Sequence, residues 1–564
     1  MVVLHRMQLR VEDSSLIPVL DSIRTELSIP STFPDEVDRQ ADAAVAEWKD
    51  FLSRVQPVLT GDEAASGPRL LAGAAEAIDR AWTALVPEAL PRWDATDVPF
   101  VTIDPESSRD LDQAVRLRRL EEGRPDGARY RVLYAIASLA TFVPAGSPLD
   151  LEVRRRATTI YMPDRSTPLH PLALSEGAAS LLPGGVVPAC VWEILLDARG
   201  EVVNATVRRA LVRSRAKLSY DQVEAARTSG RPLPDAPEDL VELLEEIGRL
   251  RRALETARGG VSSPSPEQEI TREIDADGST HYELSYRKST PVEEWNAQIS
   301  LLTGMCAASI MREAGIAVLR TAPPASHQAL ERLHGVARLL GVDWPEDMPY
   351  ARLLPALDPA IPAHTAFLAH AMSLYRGAEY AVFVDASRAG SALAKTTSGR
   401  SPAAAGAFPC PGDPAARHAA IAAEYAHVTA PLRRLVDRWA SEICIAHESG
   451  RPIPGWVLDS LPDLPGFMAE GARLASAAER AAIGAVSAKL LLGHEGATFR
   501  GVIVERRDGD EDFDRGKVLI SDPAVIGSLV ARVPGARLPL GEEAGVVLER
   551  ADVESRSVRF TWAP

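Results

Sequence analysis

Asp104, Asp110 and Asp112 fall within one short segment, VTIDPESSRDLDQAV. Asp104 closes an apolar run expected to be a strand, Pro105 stops that strand, and Asp110 and Asp112 lie two apart where the next strand is expected to begin. Alternate residues of a strand share a face, so three carboxylates could converge. Clustered carboxylates repel one another unless a cation neutralises them, and hard oxygen ligands favour Mg2+ or Mn2+. A cation held in this way serves phosphoryl transfer or phosphodiester hydrolysis. By spacing alone, a solvated turn with a helix cap is the commoner meaning of such a segment. A second segment, APLRRLVDR, is apolar and basic and is expected to open a helix carrying Arg433 and Arg434; by itself it reads as a surface helix with three arginines. Single arginines count for less here, because only six of the 62 basic residues are Lys.

The elements that must position these groups read as an α+β, multidomain chain. Its 564 residues are 46% hydrophobic and 25% charged, an ordinary globular composition with room for three or four domains. The net charge of −16 decides little about a nucleic-acid partner, since a channel can be positive inside an acidic shell. The start, MVVLHRMQLRVEDSSLIPVL, lacks a signal-peptide core, and no stretch reaches bilayer length, which leads us to expect a cytoplasmic protein with no membrane partner. Cys190, Cys306, Cys410 and Cys444 form no CxxC and read as core or incidental thiols.

Residues 14–84 are expected to form three helices, as a small bundle or a helix-turn-helix. They carry no basic recognition face, so a packing appendage is favoured over a DNA-binding module. Strands begin near residue 98; helices follow over 219–257, 292–316 and 326–341, with a hairpin turning at Asp277, Gly278 and Ser279. Residues 401–418 form a long Pro and Ala-rich loop. Beyond 495, ATFRGVIVE, GKVLISD, GSLVARV, GVVLERAD and SVRFTWAP give five short strands that suit an OB-type barrel. The expected organisation is an N-terminal helical region (1–85), a large mixed α/β catalytic domain (86–494) and a C-terminal five-stranded barrel (495–564).

TIDPESSRDLDQAV resembles the signature of the ribonuclease II family, the RNB-domain exoribonucleases of the ribonuclease II and ribonuclease R type, whose usual form is T-I-D, a short polar loop, then R-D-x-D-D-A. The resemblance continues in order. LDLEVRRRATTIYMPDRSTPLHPLALSEGAASLLPG, VEEWNAQISLLTG, AVLRTAPP, YAHVTAPLRRLVDR and RLASAAERAA are each similar to a family segment, and the last seventy residues look like the family's S1 domain. The resemblance spans roughly residues 90 to 564. IPSTFPDEVDRQA is similar to the family's linker, and the first 28 residues leave no room for the cold-shock domains that commonly precede it.

Residue by residue, the resemblance implies that Asp104, Asp110 and Asp112 hold Mg2+ or Mn2+ and that Arg433 braces the phosphate. Gln113 stands where the family's fourth aspartate is, which implies a weaker site, one metal held loosely, with Glu106 or the substrate phosphate compensating. Tyr161 matches a tyrosine that stacks on terminal bases, although between Ile160 and Met162 it would otherwise read as a core residue. Arg320, Arg434 and Glu479 match positions near the RNA. Ala135, Ser138, Ala322 and Leu435 depart from the family pattern, while His427 reads as a structural histidine and His170, where the family has a leucine, as a loop histidine with no chemistry. The function implied is processive 3′ to 5′ hydrolysis of RNA to nucleoside 5′-monophosphates. Its partner would be single-stranded RNA with a free 3′ end, including structured RNA with a 3′ overhang, with no obligate protein partner. The alternative is a catalytically silent RNA-binding protein of the same fold.

Overall fold

The computed structural model describes residues 9–55, 67–261, 267–287, 289–345, 347–375, 377–385, 409–410, 412–507 and 513–564. At the N-terminal end, β1 (Val11–Glu12) leads into α1 (Asp13–Glu26), followed by α2 (Asp35–Arg54), β2 (Arg69–Leu70) and α3 (Ala74–Ile78). The third helix expected over RLLAGAAEAIDRAWTALV is replaced by a strand and a short helix. The periodic apolar residues are there, but Gly73 takes a left-handed φ of 74° and breaks the run. The first two helices serve different cores. Leu16, Leu20 and Ile23 of α1 join a cluster with the C-terminal barrel, whereas Val37, Ala41, Trp48 and Phe51 of α2 join the main core.

The central sheet is built from β2, β3 (Trp93–Asp104), β4 (Gln113–Arg119), β5 (Tyr130–Ala137), β6 (Val187–Leu196) and β7 (Val202–Ser219), in that order, and β3 also pairs in parallel with β7. The strands from β3 to β7 therefore close on one another. Their alternation divides two environments. Ala114, Leu133, Ala135, Ala189, Val191 and Ala210 form one small cluster, and their neighbours Val115, Tyr134, Ile136, Trp192 and Leu211 belong to the main core. Ala135 is thus an interior position at which a small residue fits.

Helix α4 (Pro148–Arg156) precedes β6, while α5 (Tyr220–Ser229) and α6 (Leu240–Arg258) follow β7. Ser219 caps α5 through a reciprocal bond with Gln222, as its sequence signature requires. The hairpin of β8 (Glu267–Ile274) and β9 (Thr280–Arg287) turns where expected, with the Ser279 amide donating to Asp277. Next come α7 (Pro291–Ala314), β10 (Ile316–Thr321), α8 (His327–Leu340), α9 (Tyr350–Leu353), α10 (Pro362–Ala371) and β11 (Glu379–Val384). Half of the expected loop at 401–418, residues 401–408 and 411, lies outside the described residues. Two short strands, β12 (Arg417–His418) and β13 (Ala423–Glu424), lead to α11 (Val436–Glu448), α12 (Gly455–Ser460) and α13 (Leu464–Leu491).

The C-terminal strands β14 (Thr498–Arg507), β15 (Arg515–Ile520), β16 (Val525–Ala531), β17 (Glu543–Asp552) and β18 (Ser557–Trp562) form a closed barrel in the order β14-β15-β16-β18-β17. The parallel β16–β18 pair closes it, the arrangement of an OB-type barrel. Among the described residues no helix is long and apolar enough to cross a membrane.

Candidate active site

Asp104 is the last residue of β3, and Asp110 and Asp112 sit in the loop that runs into β4 rather than in the strand itself. That loop is pinned from outside. Leu111 is buried, its amide donates to Ser180 Oγ at 3.0 Å, and the Ser180 hydroxyl donates to the Arg109 carbonyl at 2.6 Å. Ser180 belongs to LALSEGAASLLPG, so that segment has a concrete task in holding the acidic loop.

The three carboxylates meet different partners. Asp112 is 5% exposed; its Oδ1 accepts the Leu432 amide at 2.7 Å, and its Oδ2 lies 3.9 Å from Arg433 Nε. Asp110 accepts the Tyr161 hydroxyl at 3.1 Å. Asp104 keeps one buried oxygen, Oδ2, without a hydrogen-bond partner. Burial pushes the Asp104 carboxyl up to about 6, with Asp110 adding to the rise and Arg433 and Lys217 opposing it. Burial likewise pushes Asp112 well above the ordinary carboxylate range, against Arg433 and the Leu432 amide.

The expected convergence of three carboxylates is therefore incomplete. Among the described residues, no three His, Cys, Asp or Glu side chains are gathered as a group that could hold a metal ion. The reason is local: Tyr161 draws Asp110 one way, and Leu432 with Arg433 draws Asp112 another. The donor chemistry still fits a hard divalent cation, since one buried carboxylate oxygen of half-buried Asp104 has no partner and the carboxyls of Asp104 and Asp112 are both pushed up by burial.

Gln113 opens β4, and its amide oxygen accepts from the Tyr134 hydroxyl and from Ser300 Oγ, the latter at 3.2 Å. It is turned to those hydroxyls rather than to the carboxylates. Glu106 has an exposed side chain, and its carbonyl accepts Lys217 Nζ at 2.6 Å.

The loop bearing Arg433 is clipped against the segment bearing Tyr161. The Thr159 amide and the Thr158 hydroxyl both donate to the Arg433 carbonyl, at 3.1 and 2.9 Å, and the Leu435 amide donates to Ala157 at 3.0 Å. Gly471 of α13 lets that helix pack against the same segment, because a Cβ there would lie 2.8 Å from that of Ala157. Tyr161 itself is 51% exposed and stands over Asp110, so it is not the core residue its apolar neighbours suggest. Arg433 is exposed. Arg434 commits its guanidinium to Asp437, at 2.9 and 2.8 Å, and Asp437 also accepts the Ala430 amide. Arg320 lies 4.7 Å over the Tyr380 ring, whose hydroxyl bonds His427 Nδ1 at 2.6 Å. Burial holds His427 well below its ordinary value, hence neutral. Glu479 is exposed on α13, and no hydrogen bond among the described residues ties it to the carboxylates.

Several contributors carry no local sequence signal. His170 is buried and pushed down to about 4 by that burial, and its Nδ1 donates to the Leu432 carbonyl at 3.2 Å. Arg24 of α1 forms a buried ion pair with Asp164, and Arg165 pairs with Asp21 at 2.7 Å, so α1 grips the loop that follows Tyr161. Ser138 accepts from Arg209, which pairs with Glu442 of α11.

Residues 92–445 match the RNB domain, and residues 497–563 match the C-terminal S1 domain of RNase II-type exonucleases. The chain belongs to the RNB-domain family. Within that family it is 34% identical over 179 residues to Ribonuclease R of Escherichia coli (strain K12), a stretch covering 31% of this chain and 21% of that protein. It is 35% identical over 153 residues to Exoribonuclease 2 of Aeromonas hydrophila, covering 27% of this chain and 22% of the other. The matched stretches thus span about a fifth of these relatives' length. In fold, the RNB chain is similar to Mycoplasma genitalium RNase R in complex with ribose methylated single-stranded RNA, with a TM-score of 0.72 at 18% identity, covering 96% of this chain and 77% of that one.

Proposed function

We propose that this chain is a hydrolytic 3′ to 5′ exoribonuclease that shortens single-stranded RNA, including a 3′ overhang on structured RNA, and releases nucleoside 5′-monophosphates. The observation that carries this reading is the grouping of half-buried Asp104 and buried Asp112 beside the exposed guanidinium of Arg433, with Tyr161 held over Asp110. Its support is membership of a family whose relatives include Ribonuclease R and Exoribonuclease 2.

In this reading a divalent cation, Mg2+ or Mn2+, held by Asp104, Asp110 and Asp112, supplies activation of water and neutralisation of charge at the phosphate. The chain's own residues do the rest. Arg433 is exposed next to Asp112 and braces the phosphate as negative charge develops. Tyr161 offers an aromatic face to the terminal base, and such stacking tolerates any sequence. Leu432 and His170 fix the backbone from which Arg433 projects. Arg434 acts through Asp437 to shape that same loop, and Arg320 and Glu479 lie along the route of the strand. The barrel, residues 495–564, contributes salt-sensitive phosphate contacts, the unit over 86–494 performs the hydrolysis, and residues 1–85 brace both. Gln113 lowers the charge of the carboxylate set, so one cation is held loosely.

The incomplete carboxylate group and Gln113 favour one second reading, an RNA-binding protein of this fold without turnover. The test follows 5′-labelled RNA on a sequencing gel with Mg2+ or Mn2+, with the 3′ end free or blocked. Stepwise shortening of the free strand alone is expected. RNA that is bound but left whole under both metals makes the second reading the correct one.

A further inference from the structure

Away from the carboxylates, Arg92, Arg208, Arg209 and Arg451 line one cavity of about 360 Å3 together with Trp93. Their charges are unevenly answered. Arg209 is paired with Glu442. Arg208 lies 3.9 Å from Glu193, which Arg131 holds more closely at 2.6 Å, and it stacks 4.9 Å over the Trp93 ring. Arg451 reaches Ser449 Oγ at 3.0 Å and the Glu88 carbonyl at 3.5 Å, neither of them a carboxylate. Arg92 has no ion pair among the described residues. Glu448 is the one carboxyl lining this cavity among the described residues; burial pushes it up, with His447 and Arg208 opposing the rise. Burial pushes Arg451 down, with Arg209 and Arg92 adding to the effect and Glu442 and Glu88 opposing it.

A second cavity, of about 680 Å3, shares Ile445 and Arg451 with the first; Trp82, Leu85, Val143 and Trp456 give it apolar walls, and Glu88, Arg438 and Glu442 also line it, the last two already paired with Asp150 and Arg209. An apolar chamber opening beside surplus guanidinium charge suits a ligand with a flat apolar body and a phosphomonoester end. The pair of cavities is remote from the carboxylates. Trp93 begins the β3 strand that Asp104 ends, and Ile445 and Glu448 lie at the far end of the helix α11 that follows Arg434. Those two elements place it roughly 20 to 35 Å away, from the rise per residue of helix and strand. Concave, half-open cavities of this size suit a small molecule.

We propose that the two cavities form one binding site for a nucleoside 5′-monophosphate, with the phosphate on Arg92, Arg208 and Arg451 and the base against the wall of Trp82 and Trp456. The choice of a nucleotide among aromatic phosphomonoesters rests on the exoribonuclease reading, in which this is the released product. Calorimetric titration of the full chain in EDTA with adenosine 5′-monophosphate, and separately with adenosine, tests it. Saturable binding of the monophosphate is expected, with adenosine weaker by at least about tenfold, the worth of charge-assisted hydrogen bonds. The double variant Arg92→Ser, Arg451→Ser is expected to lose at least about tenfold in that affinity while keeping the wild-type melting temperature, and Arg433→Ala to keep the affinity. Absence of binding, equal binding of adenosine, or wild-type affinity in the double variant overturns the site. Nucleotide binding without RNA shortening would overturn only the exoribonuclease reading; RNA shortening without nucleotide binding would overturn only this site.

Discussion

His170 and Asp112 hold the two backbone polar groups of one residue: the imidazole donates to the Leu432 carbonyl at 3.2 Å, and the carboxylate accepts the Leu432 amide at 2.7 Å. Arg433 is the next residue, so its guanidinium projects from a backbone fixed on both sides. Removing the imidazole leaves a buried carbonyl unsatisfied, which costs about 1 to 3 kcal/mol. His170→Ala is expected to melt lower and to slow single-turnover RNA cleavage, with RNA affinity little changed.

The same histidine predicts an acid sensitivity. Its folded value is about 4 against an ordinary 6.5, so as pH falls below 6.5 the unfolded chain takes up a proton that the folded one refuses. Stability from this group is complete above pH 6.5 and is lost as pH falls toward 4. His170→Gln, which does not titrate, is expected to flatten the fall in melting temperature across that window.

Asp104 predicts the opposite slope. Its folded value of about 6 lies above the ordinary 3.8, so between these values the folded protein keeps a proton that the unfolded chain releases, and stability declines as pH rises through the window. In EDTA at pH 7.5, Asp104→Asn is expected to raise stability by about 1 to 3 kcal/mol and to abolish RNA cleavage. The stabilisation should disappear near pH 4. Equal melting of the two proteins at both pH values would contradict the burial of an uncompensated carboxylate.

The N-terminal helix is expected to matter to the RNA end. Arg24 and Asp164 form a buried pair beside the loop that follows Tyr161. Arg24→Ala removes the buried partner of Asp164 and leaves it only the half-exposed Arg165, at 2.9 Å, a loss of about 1 to 3 kcal/mol, whereas Arg24→Met with Asp164→Leu should recover most of it. Gel analysis should show a longer limit product for Arg24→Ala, because the stacking tyrosine is less well held.

Gln113 makes a prediction about metal. Its oxygen is occupied by the Tyr134 and Ser300 hydroxyls, so the carboxylate set lacks a fourth anionic ligand. Titration of Mn2+ followed by electron paramagnetic resonance should find one weak site, tightened at least about tenfold in Gln113→Asp by the added charge. Two tight sites in the wild type would contradict this account.

What the sequence made legible was local. The barrel strands and the hairpin follow from alternation and turn residues. The acidic segment announced itself by residue type. The contacts that finish the site join residues far apart in the chain: Leu432 to Asp112, Ser180 to Leu111, and Arg24 to Asp164. No periodicity encodes such pairings. The third N-terminal helix failed for a related reason: its apolar pattern was sound, but Gly73 and the pairing of β2 with β3 divided it.

The most direct test compares wild type with Asp112→Asn under single-turnover conditions on 5′-labelled RNA with a free 3′ end, with binding and melting measured on the same samples. The account predicts that the variant binds RNA and stays folded while its cleavage falls by at least about a thousandfold, as loss of a group acting on the reacting phosphate requires. Cleavage by the variant within a fewfold of wild type would contradict it and move the chemistry to another part of the chain.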